Sequence, residues 1–81
     1  MVLNEIIEQI NEIIIELFDN ESIVLKEETK ASDIEEWDSL NHIRVITAIE
    51  KHFKVRFEMN ELLTFNNIGD LSRYILIKIQ D

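Results

Sequence analysis

The sequence contains no cysteine and no proline, and its only glycine is Gly69. Without cysteine the chain can form no disulfide, offers no thiolate nucleophile and cannot hold a zinc ion through sulfur. One glycine is too few for a glycine-rich phosphate-binding loop. No apolar run approaches the length of a membrane-spanning helix, and the first residues show no basic segment ahead of an apolar one. We therefore expect a cytoplasmic protein without an export signal or membrane insertion.

Positive charge is also scarce, because 8 Lys and Arg residues face 17 Asp and Glu residues, giving a net charge of -9. A chain so poor in cations is not expected to bind nucleic acid, whose phosphates attract Lys and Arg. The imbalance is uneven: residues 1–38 hold twelve acids and two lysines, whereas residues 39–81 hold five acids and six bases. An acidic excess keeps a protein soluble, and it also attracts basic protein partners from solution.

What the chain does contain is apolar residues at helical spacing in three places, and 46% of all residues are apolar. The spacing i, i+3, i+4, i+7 predicts helices over residues 3–18, 39–53 and 68–80, and residues 58–63 can form one short helix. Asp38 and Asn67 precede two of these helices and are good caps. The apolar positions at helical spacing are Leu3, Ile6, Ile7, Ile10, Ile13, Ile14, Leu17 and Phe18 in the first helix, Leu40, Ile43, Ile46, Ile49 and Phe53 in the second, and Ile68, Leu71, Ile75 and Ile79 in the third.

Residues 19–38 form a long first loop between the first two predicted helices. A structureless loop of about twenty residues is uncommon in a compact domain, so we expect its apolar residues to pack onto the helices. The segment Ser32-Asp-Ile-Glu35 matches a capping box and predicts one helical turn before Trp37. The sequence therefore predicts an all-α fold: a small helical bundle of three main helices plus one short helix, with a long first loop, as a single domain over residues 1–81. The apolar residues of the loop are Ile23, Val24, Leu25, Ile34 and Trp37.

No set of residues in the chain has the composition of an active site. His42 and His52 are the only histidines, and they lie ten residues apart on the second predicted helix, far round the helix from each other. The acidic residues Glu35, Glu36 and Asp38 lack the ordered ligand spacing of a calcium loop. We therefore expect neither an enzyme nor a metal site.

The tripeptide Asp38-Ser39-Leu40 is the strongest candidate for chemistry. A serine in the first turn of a helix, after a long surface loop, presents its hydroxyl to solvent. A phosphate attached there lies near unpaired backbone N–H groups and the positive end of the helix dipole. Taken alone, the tripeptide is explained better by a serine that helps Asp38 to cap the helix.

The wider pattern resembles the acyl carrier protein family, and the resemblance runs through most of the chain. It implies that Ser39, with Asp38 as its neighbour, receives 4'-phosphopantetheine from coenzyme A through a magnesium-dependent phosphopantetheinyl transferase. The thiol of that arm would hold an acyl or aminoacyl cargo as a thioester. A loading ligase or acyltransferase would supply the cargo, and a downstream synthase or transferase would receive it from a monomeric carrier. The matching residues are Asp38-Ser39-Leu40, Ile43, Ile46, Ile49-Glu50, Phe53, Val55, Phe57, Asn67-Ile68-Gly69-Asp70-Leu71 and Tyr74-Ile75.

The resemblance also assigns a shelter for the cargo and a place for the glycine. Gly69 matches a glycine of the family, and a close approach of another backbone is the interpretation we prefer. Trp37 is expected to be a core residue beneath the loop, with contact to the arm as the alternative. The residues that match the shelter of an acyl chain, all of them core residues first, are Val45, Ile46, Leu62, Leu63 and Phe65.

The second helix departs from the acidic face that carriers of fatty acid synthesis present, because it carries Arg44 and Lys51 there. The string Trp37-Asp-Ser-Leu-Asn-His42 resembles free-standing specialised carriers. Two alternatives stay open: a carrier of fatty acid synthesis, and an unmodified helical interaction module in which Ser39 is only a cap. The residues expected to bind partner enzymes are Glu36, Leu40, Arg44, Thr47 and Lys51.

Overall fold

The computed structural model describes residues 2–62 and 65–80, which form a bundle of three long helices and one short helix. The helices are α1 (Leu3–Phe18), α2 (Ser39–Phe53), α3 (Met59–Leu62) and α4 (Ile68–Gln80), and one 3₁₀ turn (Ala31–Asp33) lies in the first loop. The predicted all-α fold is confirmed, and the three long helices have the predicted bounds. No helix in the described part of the chain is both long and apolar enough to cross a bilayer.

The core lies around α1, which packs against both α2 and α4. Ile6, Ile10 and Ile14 of α1 are completely buried, and they meet Ile49 of α2 and Ile75 of α4 in one hydrophobic cluster. Burying an isoleucine side chain stabilises the fold by roughly 1.5–3 kcal/mol relative to leaving it exposed. The isoleucine stripe of α1 therefore holds the other two long helices in place.

The apolar stripe predicted for α2 is wrong at its first two positions. Leu40 and Ile43 are 75% and 66% exposed, whereas Val45 is completely buried. Each residue turns an α-helix by about 100°, so residues three apart are displaced by about 60° around the axis. The series of steps of three that leads from Ile49 back to Leu40 thus leaves the buried face, and the first two turns of α2 present Leu40 and Ile43 to solvent.

The first loop is tied to α1 by the side chain of Asn11. The Asn11 amide accepts a hydrogen bond from the N–H of Leu25 (2.7 Å) and donates one to the carbonyl of Ile23 (3.0 Å). Leu25 is buried and Ile23 packs on the core, as predicted, but Val24 is 70% exposed. The prediction for Val24 is wrong because successive side chains of an extended segment point to opposite sides.

The predicted turn before Trp37 forms, but it starts two residues earlier than its capping box implied. The 3₁₀ turn begins at Ala31, and the Asp33 carboxylate accepts a hydrogen bond from the N–H of Lys30 (2.9 Å). Ser32 lies inside the turn and does not cap it. Asp33 pairs with the N–H of Lys30 because Lys30, whose backbone is extended, is the residue that enters the turn.

The loop also caps the start of α4 with its own backbone. The carbonyls of Thr29 and Glu27 accept hydrogen bonds from the N–H groups of Ile68 and Gly69, both at 2.8 Å. A Cβ atom on Gly69 would lie 3.0 Å from the Glu27 carbonyl oxygen, so the expected close approach of another backbone at this glycine is confirmed. Asn67 accepts from the N–H of Asp70 (2.8 Å) and is the predicted cap.

Candidate functional site

Ser39 is the first residue of α2, and the residue before it does the capping. Asp38 has an extended backbone, and its carboxylate accepts a hydrogen bond from the N–H of Asn41 (2.8 Å). The side chain of Ser39 is exposed, and its hydroxyl forms no hydrogen bond with any described residue. The interpretation of Ser39 as a helper of the cap is therefore wrong, and its hydroxyl is accessible at the helix start.

The chain on both sides of Ser39 is held by side chains. The indole N–H of Trp37 donates to Nδ1 of His42 (3.0 Å), and the two rings stack with their centroids 6.1 Å apart. Asn41 donates to the carbonyl of Glu36 (2.9 Å), while Asn20 donates to the Glu36 carboxylate (2.7 Å). The end of the loop and the first turns of α2 thus form one connected unit around the serine.

The role of His42 was missed from the sequence, where the two histidines were considered only as candidates for an active site. His42 is half-buried in the second turn of α2, where it contacts Trp37. An aromatic donor just before a helix and a histidine in its second turn are the signal that could have shown the bond. Trp37 itself is only 8% exposed, so its expected place in the core is confirmed.

A cavity of about 90 Å³ opens between the loop end, α2, α3 and α4. Of the residues assigned to an acyl shelter, Ile46, Leu62 and Phe65 line it, Val45 is buried elsewhere, and Leu63 lies outside the described residues. Trp37 lines the same cavity, so its core position and its place on the cavity wall are compatible. The other lining residues are Ala31, His42, Asn66, Asn67, Ile68 and Leu71.

The comparisons with known proteins agree with this architecture. The family model described as the phosphopantetheine attachment site matches residues 8–75. The chain belongs to the acyl carrier protein family. The solution structure of the holo acyl carrier protein from Geobacter metallireducens is similar to this chain, with a TM-score of 0.85 and 39% sequence identity. That match covers 91% of this chain and 85% of the other, and no curated protein matches.

The acyl carrier proteins are carriers and not enzymes, and their cofactor is a covalently attached 4'-phosphopantetheine. The start of α2 fits such a group. The N–H groups of Ser39 and Leu40 form no hydrogen bond among the described residues, as is usual in a first helical turn. These donors and the helix dipole favour a phosphate attached at an adjacent hydroxyl. Among the described residues no group of histidine, aspartate and glutamate is placed to hold a metal ion.

The residues expected to bind partners lie mostly together on this acyl carrier protein. Leu40, Arg44, Thr47 and Lys51 are all exposed along one side of α2. Glu36 lies apart from them, at the loop end, where it is half-buried and accepts the hydrogen bond from Asn20.

The exposed Ile43 next to Leu40 was missed as a surface residue, because its spacing from Ile46 had placed it in the buried stripe. Together Leu40 and Ile43 give the side of α2 nearest Ser39 an apolar patch. The basic residues Arg44 and Lys51 follow further along the helix.

The short helix α3 is held against α4 by Glu61, a contact that sequence reasoning also missed. The Glu61 carboxylate accepts from the N–H of Glu58 (2.7 Å) and lies 3.2 Å from Nζ of Lys78. Its pKa is lowered, first by that N–H group and then by hydrogen bonds from the Tyr74 hydroxyl and Lys78, against the opposing effect of burial. The bond to Glu61, with burial, raises the pKa of Tyr74.

An aromatic cluster completes this contact beside the cavity. The ring of Phe65 meets Tyr74 edge-on at 5.2 Å and Phe57 at 5.7 Å. Lys78 lies over the Tyr74 ring, 5.5 Å from its centroid. Since Phe65 also lines the cavity, the cluster and the Glu61 contact position one wall of it.

Proposed function

We propose that Ser39 carries the 4'-phosphopantetheine arm, and that the protein delivers an acyl or aminoacyl cargo to the enzymes of a specialised biosynthetic pathway. The observation that carries the proposal is the exposed Ser39 hydroxyl at the start of α2, which has no hydrogen-bond partner among the described residues. The terminal thiol of the arm, when bound, holds the cargo as a thioester. The chain has no cysteine of its own to compete with it.

The other serines lack this combination of features. The Ser22 hydroxyl donates to the side chain of Asn20, and Ser72 is completely buried. Ser32 is exposed, but it lies within a 3₁₀ turn of three residues that has no helix of useful length behind it. Ser39 alone among them combines an exposed hydroxyl with the start of a long helix.

The residues around Ser39 then have separate tasks. Asp38 fixes the first turn of α2, and the bond between Trp37 and His42 holds the loop against it. Leu40 is exposed beside the attachment point and can contact the surface of a phosphopantetheinyl transferase. Tethering raises the effective concentration of the cargo at a docked enzyme to the order of millimolar. The protein alone should turn over no substrate.

The assignment to a specialised pathway rests on the charge of α2. Arg44 and Lys51 give a positive charge to the side of α2 that is acidic in carriers of fatty acid synthesis. The acids that precede Ser39 make the opposite edge negative, which favours partners with basic residues near the entrance for the arm and acidic residues further out. The partners are a loading ligase or acyltransferase and a downstream synthase or transferase. The carrier binds them as a monomer in the cytoplasm. The acids at that edge are Asp33, Glu35, Glu36 and Asp38.

A carrier of fatty acid synthesis is the second candidate, and the same acidic edge favours it. The charge-reversal experiment described in the Discussion separates the two. Both candidates require the same modification of the same serine.

Intact-protein mass spectrometry tests the proposal. Incubation with coenzyme A, magnesium and a broad-specificity transferase should add one phosphopantetheine to the parent protein and to the control Ser22→Ala, and none to Ser39→Ala. The proposal fails if Ser39→Ala is still modified, or if peptide mapping places the group on Ser32 or Ser72. A folded parent protein that stays unmodified would instead support the helical interaction module.

A further inference from the structure

A second surface feature lies at the opposite end of α2 from Ser39. It is an open groove of about 570 Å³ where the chain turns back after Phe53. A helix rises 1.5 Å per residue, so this groove is roughly 20 Å from the attachment serine. Its apolar floor is made by the half-buried Val55 and Phe57, and its exposed walls carry Lys51, Lys54 and Arg56.

The groove is positive although the whole chain has a net charge of -9. Its single acid, Glu50, is held in the groove wall, where its carboxylate accepts a hydrogen bond from the N–H of Phe57 (2.9 Å), so three cations face one acid. None of the three cations forms an ion pair with a described residue; the ion pairs among these residues involve Arg73 and Lys78. The cations of the groove are therefore available to a partner.

The helix dipole explains only part of this charge. Cations are favoured in the last turn of a helix, which accounts for Lys51. Lys54 is the residue after the helix and has a φ of 58°, a left-handed conformation that glycine usually adopts there. Arg56 lies beyond the helix altogether. The end of the helix therefore does not require a charged residue at position 54 or at position 56.

We propose that this groove docks an acidic segment of a partner protein, with an apolar side chain over Val55 and Phe57 and carboxylates against Lys51, Lys54 and Arg56. Because that partner is an enzyme which meets the arm, its biological role rests on the proposed carrier function. A protein segment fits better than a small anion, since the groove is wide, has an apolar floor and holds its three cations on exposed walls. Docking here would orient the carrier at a point remote from the arm.

NMR titration of the full chain carrying the arm tests this docking. The probe is a synthetic helical peptide with glutamates flanking leucines on one face. We expect amide shifts confined to Lys51–Phe57, and an affinity roughly three- to tenfold lower for the variant Lys54→Gln with Arg56→Gln. The matched control Lys26→Gln with Lys30→Gln removes the same charge from the first loop and should bind like the parent.

Three results would overturn the docking proposal. The first is equal affinity of the two double variants for the peptide. The second is a set of amide shifts that spreads over α1. The third is the same shifts from inorganic pyrophosphate at the same concentration, which would make the groove a small-anion site. If the variant Lys54→Gln with Arg56→Gln loses helix content by circular dichroism, the single variant Lys51→Gln within α2 replaces it and should also weaken binding. Mass spectrometry on all variants reports the arm at Ser39 separately, so failure of the carrier function is distinguished from failure of the groove.

Discussion

The indole N–H of Trp37 donates a hydrogen bond to Nδ1 of His42 across 3.0 Å, and the two residues stand on either side of Ser39 in the sequence. An indole can only donate, so Nδ1 must be the unprotonated nitrogen of the imidazole. The bond fixes the end of the first loop to the second turn of α2. Ser39 therefore lies in a segment whose two ends are joined by this hydrogen bond, and not at a loose loop end.

Replacing Trp37 with phenylalanine should keep most of the packing and lose this bond. We expect the free energy of unfolding to fall by about 1–3 kcal/mol, because His42 loses its partner in a half-buried place. Urea denaturation followed by circular dichroism measures the change. His42→Gln, whose amide oxygen can still accept, should cost less than His42→Leu. Equal stability of these two His42 variants would show that the hydrogen bond contributes little.

Asp38 and Ser39 should differ in their effect on stability, because only Asp38 caps α2. Asp38→Ala should lower the free energy of unfolding by about 0.5–2 kcal/mol. Ser39→Ala should change it by less than about 0.5 kcal/mol, since its hydroxyl is exposed and has no hydrogen-bond partner among the described residues. Denaturation of both variants without the arm makes the comparison. A larger loss for Ser39→Ala than for Asp38→Ala would contradict the assigned cap.

Gly69→Ala should destabilise the protein although alanine is the better helix former. The added Cβ would stand 3.0 Å from the Glu27 carbonyl oxygen, which also accepts the Gly69 N–H. Overpacking costs about 1–3 kcal/mol, against a gain of about 1 kcal/mol in helix propensity. Thermal denaturation and hydrogen exchange at the Gly69 amide would report the loss. Glu27→Ala keeps the carbonyl and should be nearly neutral, so an equally unstable control would refute the backbone explanation.

Tyr74 is the only tyrosine of the chain, so its ionisation can be followed by absorbance. Its pKa is raised above 10.0, chiefly by the hydrogen bond to Glu61. Because the folded state holds this proton more tightly, the stabilisation is complete below pH 10.0 and is lost as the pH rises through the folded value. Glu61→Gln should let Tyr74 titrate at lower pH, whereas the exposed control Glu28→Gln should not.

Glu61 should give the opposite dependence in acid. Its pKa is lowered below 4.5, so its stabilisation is present above pH 4.5 and is lost as the pH falls through the folded value. The parent protein should therefore lose more stability than Glu61→Gln between neutral pH and acid below pH 4.5. Denaturation over this range measures the difference. Parallel curves for the two proteins would exclude a stabilising role for the ionised carboxylate.

Reversing the charge of Arg44 and Lys51 tests the choice of partner. Their replacement by glutamate should slow transfer with the native partner enzymes by about tenfold or more, and should improve use by enzymes of fatty acid synthesis. High salt should reduce both effects because exposed charges are screened. Lys26→Glu with Lys30→Glu changes the net charge equally and serves as the control. Unchanged rates with both sets of enzymes at low salt would show that Arg44 and Lys51 are only a solvated surface.

The periodicity of the sequence determined the three long helices, because the spacing of apolar residues reflects the geometry of the helix itself. The caps at Asp38 and Asn67 were predictable for the same reason, since a cap acts on backbone groups of its own helix. The serine at the start of α2 was found from its neighbours and from the family pattern that surrounds it.

Only the tertiary structure decided which apolar residues are covered. Leu40 and Ile43 share helical spacing with Ile46, yet they are exposed because burial depends on where the neighbouring helices pack. The carbonyl of Glu27 above Gly69 and the bond between Glu61 and Tyr74 likewise join segments far apart in sequence. Local spacing fixes the direction of a side chain around its own helix, and the packing of the chain fixes what lies in that direction.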